Sequence, residues 1–205
     1  PVAFESRDVS FALWEELTRA HDGIEWKGVG GLVEQLRVGK DRTEIQAVRR
    51  ALEVAESALE ETVEALRPGT TEVELAAALE NACRVRGAER MSFDTIVASG
   101  PRGALPHARP TERLLHKGDL AVVDMGCVVD GYCSDITRAV LLGSELSADW
   151  KRVHEALGAA REAALVVAAA GVSAREVDAA ARQMLAERGL GEAFVNVEAL
   201  FVEVI

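Results

Sequence analysis

Cysteine is scarce in this sequence, and its scarcity excludes two kinds of stabilising site. The three cysteines, Cys83, Cys127 and Cys133, are too few and too odd in number for a disulfide framework. The spacing of Cys127 and Cys133 is also unlike that of a zinc knuckle. We therefore expect small buried thiols in a protein of the reducing cytoplasm.

Positive charge and long apolar runs are scarce as well. Lys and Arg number 23 against 34 Asp and Glu, which gives a net charge of -11. The resulting field repels phosphate backbones and anionic lipid headgroups, so neither nucleic acid nor a membrane is an expected partner. The longest apolar run, Ala163–Val172, is about half the length needed to span a bilayer. No signal peptide is visible in the sequence.

Hydrophobic periodicity predicts a chain that mixes helices with short strands. Apolar residues make up 49% of the sequence, which is enough for a proper core. A period of 3.6 predicts helices over Ser10–Ala20, Thr43–Leu66 with Thr43 as its N-cap, Thr71–Val85, Asp149–Ala169 and Ala174–Glu187. Short apolar runs predict strands at Phe93–Ala98, Leu120–Val129 and Tyr132–Leu142.

The chain contains an internal repeat at an offset of 102 residues. The matched pairs are Gly69 with Gly171, Glu74 with Glu176, Ala77 with Ala179, Ala78 with Ala180, Arg86 with Arg188 and Gly87 with Gly189. In a true duplication, strands bearing carboxylates would follow the second copy as they follow the first. The sixteen residues after Gly189 are too few to hold them, so the sequence predicts an incomplete second half.

Asp130-Gly131 lies between two apolar runs and predicts a two-residue hairpin, because a type I′ turn needs positive φ at both central positions. Counting from this turn pairs Val129 with Tyr132, Gly126 with Asp135, and Asp124 with Thr137. Because side chains alternate between the faces of a strand, Asp124 and Asp135 project to the same side as diagonal neighbours. Gly126 leaves space beside Asp135 for something other than a side chain.

Two carboxylates placed together in an otherwise apolar hairpin repel each other and lose hydration unless a cation neutralises them. A pair of divalent ions is the natural occupant of such a site. Asp124 and Asp135 are therefore candidate metal ligands. The alternative is structural: Asp135 pairs with Arg138 or Arg102, and Asp124 lies at a solvated strand end.

His107 follows a loop rich in turn residues and is the candidate catalytic histidine. A neutral imidazole there could hydrogen-bond a substrate or move a proton beside a metal site. A lone loop histidine is also common as plain polar surface, and the residues alone leave both interpretations open.

Four ordered motifs resemble the Xaa-Pro dipeptidase (prolidase) and aminopeptidase P group of metallopeptidases, from about Phe4 to Phe194. They are Phe93-Asp-Thr-Ile-Val-Ala-Ser-Gly100, Ala104-Leu-Pro-His107, Gly118-Asp-Leu-Ala-Val-Val-Asp124-Met-Gly126 and Gly131-Tyr-Cys-Ser-Asp135-Ile-Thr-Arg138. The resemblance implies the α+β pita-bread fold, here partial, with residues 37–205 as the catalytic domain. Residues 1–36 would be the remnant of a small N-terminal α/β domain.

The resemblance also implies a site. Asp124 and Asp135 would be two of five ligands for two divalent ions, with manganese, cobalt or zinc as the expected metals. His107 would contact the substrate near the scissile bond. The expected partners are a small Xaa-Pro peptide as substrate and a second copy of the chain in a homodimer.

The sequence departs from the family after Phe194, where members carry a ligand histidine and two ligand glutamates. Here Phe194 is followed by Val195-Asn196-Val197, and Glu192, Glu198 and Glu203 stand in other contexts. The catalytic domain is therefore expected to be incomplete after about residue 194, whether as a fragment or through an internal deletion. The leading hypothesis is a metal-dependent Xaa-Pro dipeptidase. Its rivals are a catalytically inactive binding module and an aminopeptidase P.

Overall fold

The computed structural model describes residues 1–67, 69–105, 107–143, 145, 147–193 and 203–204. The chain forms two compact units, Pro1–Ile45 and Gln46–Ile205. The sequence predicts a domain boundary after residue 36, nine residues earlier than this division. The origin of residues 1–36 in another domain stays a prediction.

The first unit is a small α/β arrangement. Strands β1 (Val2–Glu5) and β2 (Trp26–Val29) pair in parallel, and helix α1 (Phe11–Ala20) connects them. Helix α2 (Leu32–Val38) follows β2. The rings of Phe4 and Trp14 stack with centroids 4.7 Å apart, which fastens α1 to the strand pair. The predicted helix over Ser10–Ala20 is confirmed, with Ser10 as its N-cap.

Helix α3 (Arg42–Ala65) begins earlier than its apolar pattern indicates. The Asp41 carboxylate accepts hydrogen bonds from the amides of Thr43 (2.8 Å) and Glu44 (2.9 Å), and so caps the helix. The prediction of Thr43 as N-cap is therefore wrong. The N-cap is the residue whose side chain accepts hydrogen bonds from the first free amides of the helix. The apolar stripe does not show which residue that is.

The remaining helices of the second unit are α4 (Glu72–Val85), α5 (Ala148–Val167) and α6 (Ala174–Glu187). The internal repeat is also a repeat of structure. Helices α4 and α6 differ by 102 residues at both ends, and each begins with a capping box, Thr71 with Glu74 and Ser173 with Glu176. Helices α3 and α5 also end 102 residues apart. The second helix of each copy therefore begins with the same capping arrangement.

The predicted strands form two sheets instead of one continuous hairpin. One sheet has the order β4 (Ile96–Ser99), β5 (Leu120–Met125), β8 (Ile136–Leu141) and β9 (Glu203–Val204). The other contains β3 (Arg90–Met91), β6 (Cys127–Val129) and β7 (Tyr132–Cys133). The two long predicted runs are therefore each divided between two sheets.

The hairpin turn and its register are confirmed. Asp130 and Gly131 have φ angles of 50° and 76°, the positive values that the predicted turn requires. Val129 pairs with Tyr132, and Asp124 pairs with Thr137.

The two faces of β5 differ in burial. Ala121, Val123 and Met125 are fully buried in a core that includes Leu59 and Leu79 of the helices. The residues between them face the other way and are only partly buried, and Asp124 is one of these. The core therefore decides which face of the sheet is left to carry the aspartates.

Glu203, one of the glutamates outside the family contexts, lies on β9 in register with Arg138 of β8. Glu198 and the other residues of 194–202 lie outside the described part of the chain. Among the described residues, no helix combines the length and the apolar character needed to cross a membrane.

The cysteines fit the expectation of buried thiols only in part. Cys83 and Cys127 are buried, and Cys133 is exposed. Burial, together with the neighbouring Cys127, raises the pKa of the Cys83 thiol to about 12. Cys83 is therefore a protonated, unreactive core residue at neutral pH.

Candidate functional site

His107, Asp124 and Asp135 line one open pocket of about 880 Å³ in the second unit. The other lining residues are Val73, Ala76, Ala77, Glu80, Phe93, Asp94, Thr95, Ile96, Ala108, Arg109, Pro110 and Thr137. The structure thus brings together all the site residues that the sequence predicts. A pocket that combines an apolar wall with a few convergent polar groups is the usual form of a small-ligand site.

One wall of the pocket is a single face of helix α4. Val73, Ala76, Ala77 and Glu80 are spaced at i, i+3, i+4 and i+7, the spacing that places side chains on one helical face. The small side chains in the middle of this face leave room in front of the sheet. The sequence analysis did not predict this contribution, because the same spacing is typical of a core-facing stripe.

The two aspartates lie on the face of the sheet that turns away from the core. Asp124 is half-buried on β5, and its Oδ1 accepts a hydrogen bond of 2.9 Å from the hydroxyl of Thr137. Asp135 is exposed, just before β8. The continuous register on both sides places Asp135 opposite Gly126, two residues along the strand from Asp124.

The arginines proposed as structural partners of Asp135 contact other carboxylates. Arg102 Nε lies 3.1 Å from Glu72 Oε2. Arg138 lies on β8, and its guanidinium is 3.5 Å from Glu56 of α3. Alternation along β8 also puts Arg138 on the sheet face opposite to Asp135.

Gly126 allows the close approach that divides the hairpin between two sheets. A β-carbon at this position would overlap the carbonyl oxygen of Ser134. Beside this contact, the Cys127 amide donates to Ser134 Oγ at 3.0 Å, and the Ser134 amide donates to the Cys127 carbonyl at 2.9 Å. The space that the sequence predicts at Gly126 is therefore filled by the backbone of its own hairpin.

We expect Gly126→Ala to lower the free energy of unfolding by about 2 to 3 kcal/mol, because the new methyl group must displace backbone. The measurement is a urea unfolding curve. Gly158→Ala is the matched control: Gly158 lies inside α5 with nothing within 4 Å of its built β-carbon, so stability should rise by about 1 kcal/mol or less. Equal midpoints for Gly126→Ala and the wild type would contradict this, because the backbone at Ser134 would then move aside without loss of stability.

His107 reaches the pocket from an exposed loop that follows a short 3₁₀ helix, Gly100–Ala104. Its φ angle is 58°, in the left-handed region that few residues other than glycine adopt. Histidine is among the side chains that tolerate this region best. The next residue, Ala108, is 7% exposed and anchors the loop against the protein. Sequence patterns contain no signal for this backbone conformation.

Sequence reasoning also missed Glu72, the first residue after the N-cap of α4, where a carboxylate is usually unremarkable. In the structure its side chain is fully buried. Burial by itself raises the pKa of the Glu72 carboxyl group, but hydrogen bonds from Ser99 and Thr111 together outweigh burial and hold the pKa below its ordinary value. Glu72 is therefore a buried carboxylate that stays ionised.

An ion pair between Arg113 and Asp119 lies next to Ser99, one of the partners of Glu72. The guanidinium of Arg113 lies 2.6 Å from Asp119, and this hydrogen bond lowers the pKa of Asp119 although partial burial opposes it. Arg113 also donates to the Ser99 hydroxyl. Gly100, with a φ angle of 55°, fits beside them, since a β-carbon there would lie 2.8 Å from the guanidinium.

Asp124 and Asp135 fit a divalent cation in chemistry and in placement. Carboxylate oxygens are suitable ligands for divalent ions, and these two share one face and one pocket. Within the described ranges, no group of three or more His, Cys, Asp or Glu side chains is arranged to hold a metal ion. Asp124 and Asp135 are therefore two candidate ligands, and the described residues place no complete ligand set around them.

Comparison with known proteins adds the family context. Residues 46–200 match metallopeptidase family M24. The chain is 34% identical over 188 residues to an Xaa-Pro dipeptidase of Pyrococcus furiosus, a match that covers 92% of this chain and 54% of the relative.

Solved structures agree. The crystal structure of an X-Pro aminopeptidase from Thermotoga maritima superposes with a TM-score of 0.89 at 42% identity, covering 93% of this chain and 54% of that one. An Xaa-Pro dipeptidase from Bacillus anthracis gives 0.88 at 36% identity, with 95% and 54% covered.

The chain spans about half the length of the curated relatives it matches. The match to the family covers most of the second unit, including the helices and strands that form the pocket. The predicted α+β pita-bread fold, present in part, is confirmed by these superpositions. The chain therefore belongs to metallopeptidase family M24.

Proposed function

We propose that the protein to which this chain belongs hydrolyses the peptide bond before proline in dipeptides or short peptides. The observation that supports this proposal most directly is the meeting of His107, Asp124 and Asp135 in one pocket. The comparisons also support it, because relatives that match most of this chain are named Xaa-Pro dipeptidases. The pocket volume of about 880 Å³ accommodates a substrate as small as a dipeptide.

In this proposal Asp124 and Asp135 hold divalent cations together with ligands from outside the described residues. Such cations, when bound, act as Lewis acids toward a carbonyl oxygen. The chain's own residues then have distinct tasks. The Thr137 hydroxyl orients Asp124 through its 2.9 Å hydrogen bond, and the His107 ring nitrogens exchange a proton or hydrogen-bond with the substrate beside the scissile bond.

Several finer points belong to the proposal. Manganese, cobalt or zinc is the expected metal, and a homodimer of the whole protein is the expected assembly. The cytoplasmic location also stays a prediction.

A second candidate function is an inactive binding module. It is favoured by the finding that the described residues place no third metal ligand beside the two aspartates. Two carboxylates alone bind a metal weakly, since affinity and geometry depend on ligand number. A third candidate is an aminopeptidase P, favoured by the superposition on an X-Pro aminopeptidase at 42% identity.

One assay separates these candidates. The whole protein, incubated with manganese or cobalt, is expected to release free proline from Ala-Pro. An aminopeptidase P would instead prefer Ala-Pro-Ala and release Ala with Pro-Ala. Turnover of neither peptide, by protein that contains stoichiometric metal, would refute the peptidase proposal and leave the binding module. The same assay on the 205-residue chain tests whether these residues suffice.

A further inference from the structure

Glu72 is a buried charge with an unusual number of partners. Its side chain is fully buried in the first turn of α4. An ionised carboxylate in such a place is strongly destabilising unless hydrogen bonds replace its lost hydration. Protein groups supply five of them. Five hydrogen bonds to one buried carboxylate indicate that Glu72 does more than form the first turn of α4.

All five donors belong to the segment that joins Ser99 to Thr111, here named the His107 loop. Glu72 Oε1 accepts from the Ser99 amide and hydroxyl, both at 2.8 Å. Glu72 Oε2 accepts from Arg102 Nε at 3.1 Å, from the Thr111 amide at 3.1 Å and from the Thr111 hydroxyl at 2.7 Å. One oxygen therefore binds the start of the loop, and the other binds its end.

Further contacts close the loop around this centre. Arg102 also donates to the Arg109 carbonyl at 2.6 Å, which links the two sides of the loop. The Val73 amide of α4 donates to the Thr111 carbonyl at 3.2 Å. His107, in its left-handed conformation, lies between these fixed points and lines the pocket together with Val73.

The second copy of the repeat supplies an internal control. At an offset of 102, the residue equivalent to Glu72 is Ala174, while Thr71 and Glu74 are matched by Ser173 and Glu176. Helix α6 nevertheless has the same length and the same capping box as α4. Forming this helix therefore does not require a carboxylate at the position of Glu72.

We infer that Glu72 is a positioning residue that clamps both ends of the His107 loop and so holds His107 at the pocket. This inference rests on the proposed function for its catalytic consequence. Its structural part, that one carboxylate orders the loop, concerns this chain alone and is tested separately.

The test uses Glu72→Gln, which preserves the size of the side chain and removes the charge. Its amide nitrogen cannot accept a hydrogen bond, so at one end of the loop the donors lose their acceptor. We expect hydrogen exchange in the peptides spanning 99–113 to accelerate about tenfold or more, while exchange in β5 and β8 stays unchanged. In NMR spectra, the imidazole signal of His107 should shift or broaden while that of His154 stays in place.

Glu74→Gln is the matched control. Glu74 lies in the same helical turn, is exposed, and contacts only Thr71 through the capping box among the hydrogen bonds described. Its substitution should leave exchange in 99–113 at the wild-type rate. Should Glu72→Gln also loosen β5 and β8, Thr111→Val replaces it, because this variant removes one loop donor and leaves the carboxylate in place. It should accelerate exchange at the end of the loop only.

Kinetics complete the test in the whole protein. We expect Glu72→Gln to lower kcat for proline release about tenfold or more, with metal content unchanged. Wild-type exchange rates and an unmoved His107 signal in both Glu72→Gln and Thr111→Val would overturn the clamp. A loosened loop with unchanged kcat would overturn the positioning role while leaving the peptidase intact. Absence of proline release by the wild type would instead refute the proposed function, with loop exchange still deciding the clamp.

Discussion

Removal of divalent cations by a chelator is expected to abolish proline release by the whole protein, and restoring manganese or cobalt should recover it. Asp124→Asn and Asp135→Asn are each expected to reduce kcat/KM by more than about a hundredfold. Mutating a residue that only hydrogen-bonds to a metal ligand typically lowers metal affinity or activity about 10- to 100-fold. Mutating a direct ligand should lower them more. The measurements are proline release and metal content by mass spectrometry, made on the same samples.

Asp130→Asn is the matched control for these variants. Asp130 belongs to the same hairpin, but its exposed carboxylate pairs with Arg50 at 2.5 Å, at the turn. Asparagine also tolerates the positive φ of this position, so the turn should persist. Activity and metal content should match the wild type. Full turnover in excess chelator, or in either aspartate variant, would contradict the metal proposal.

His107→Asn is expected to lower kcat by about two orders of magnitude without releasing metal, if the imidazole acts in proton transfer. Asparagine is a better replacement than alanine here because it adopts the left-handed backbone region readily, and His107 has a φ angle of 58°. Loss of activity can then be assigned to the imidazole. The readouts are kcat, KM and metal content.

His154→Ala is the control for this substitution. His154 lies on α5 and is not among the residues that line the pocket, so the variant should keep wild-type kinetics. Loss of metal from His107→Asn would identify His107 as a ligand instead of a substrate contact. Unchanged kcat would return His107 to the alternative interpretation, a polar residue on an exposed loop.

Features that depend on neighbouring residues could be predicted from the sequence. The Asp130-Gly131 turn sets the hairpin register, and the alternation of side chains then puts Asp124 and Asp135 on one face. The helix ends of the repeat follow from capping residues that lie within one turn. The wrong cap at Thr43 has the same origin, since apolar periodicity marks the buried stripe of a helix and not its first free amides.

Other features required the tertiary structure, because they join residues that are distant in sequence. The sequence alone determined the helices, the hairpin and the shared face of the two aspartates, all of which depend on local backbone preferences and on periods of 3.6 and 2 residues. Only the folded chain decided that His107 meets the aspartates in a pocket against α4. Only folding decided the contacts of Glu72, since a carboxylate 27 residues before Ser99 and 39 before Thr111 becomes their acceptor when packing buries Glu72 and Ser99 and partly buries Thr111.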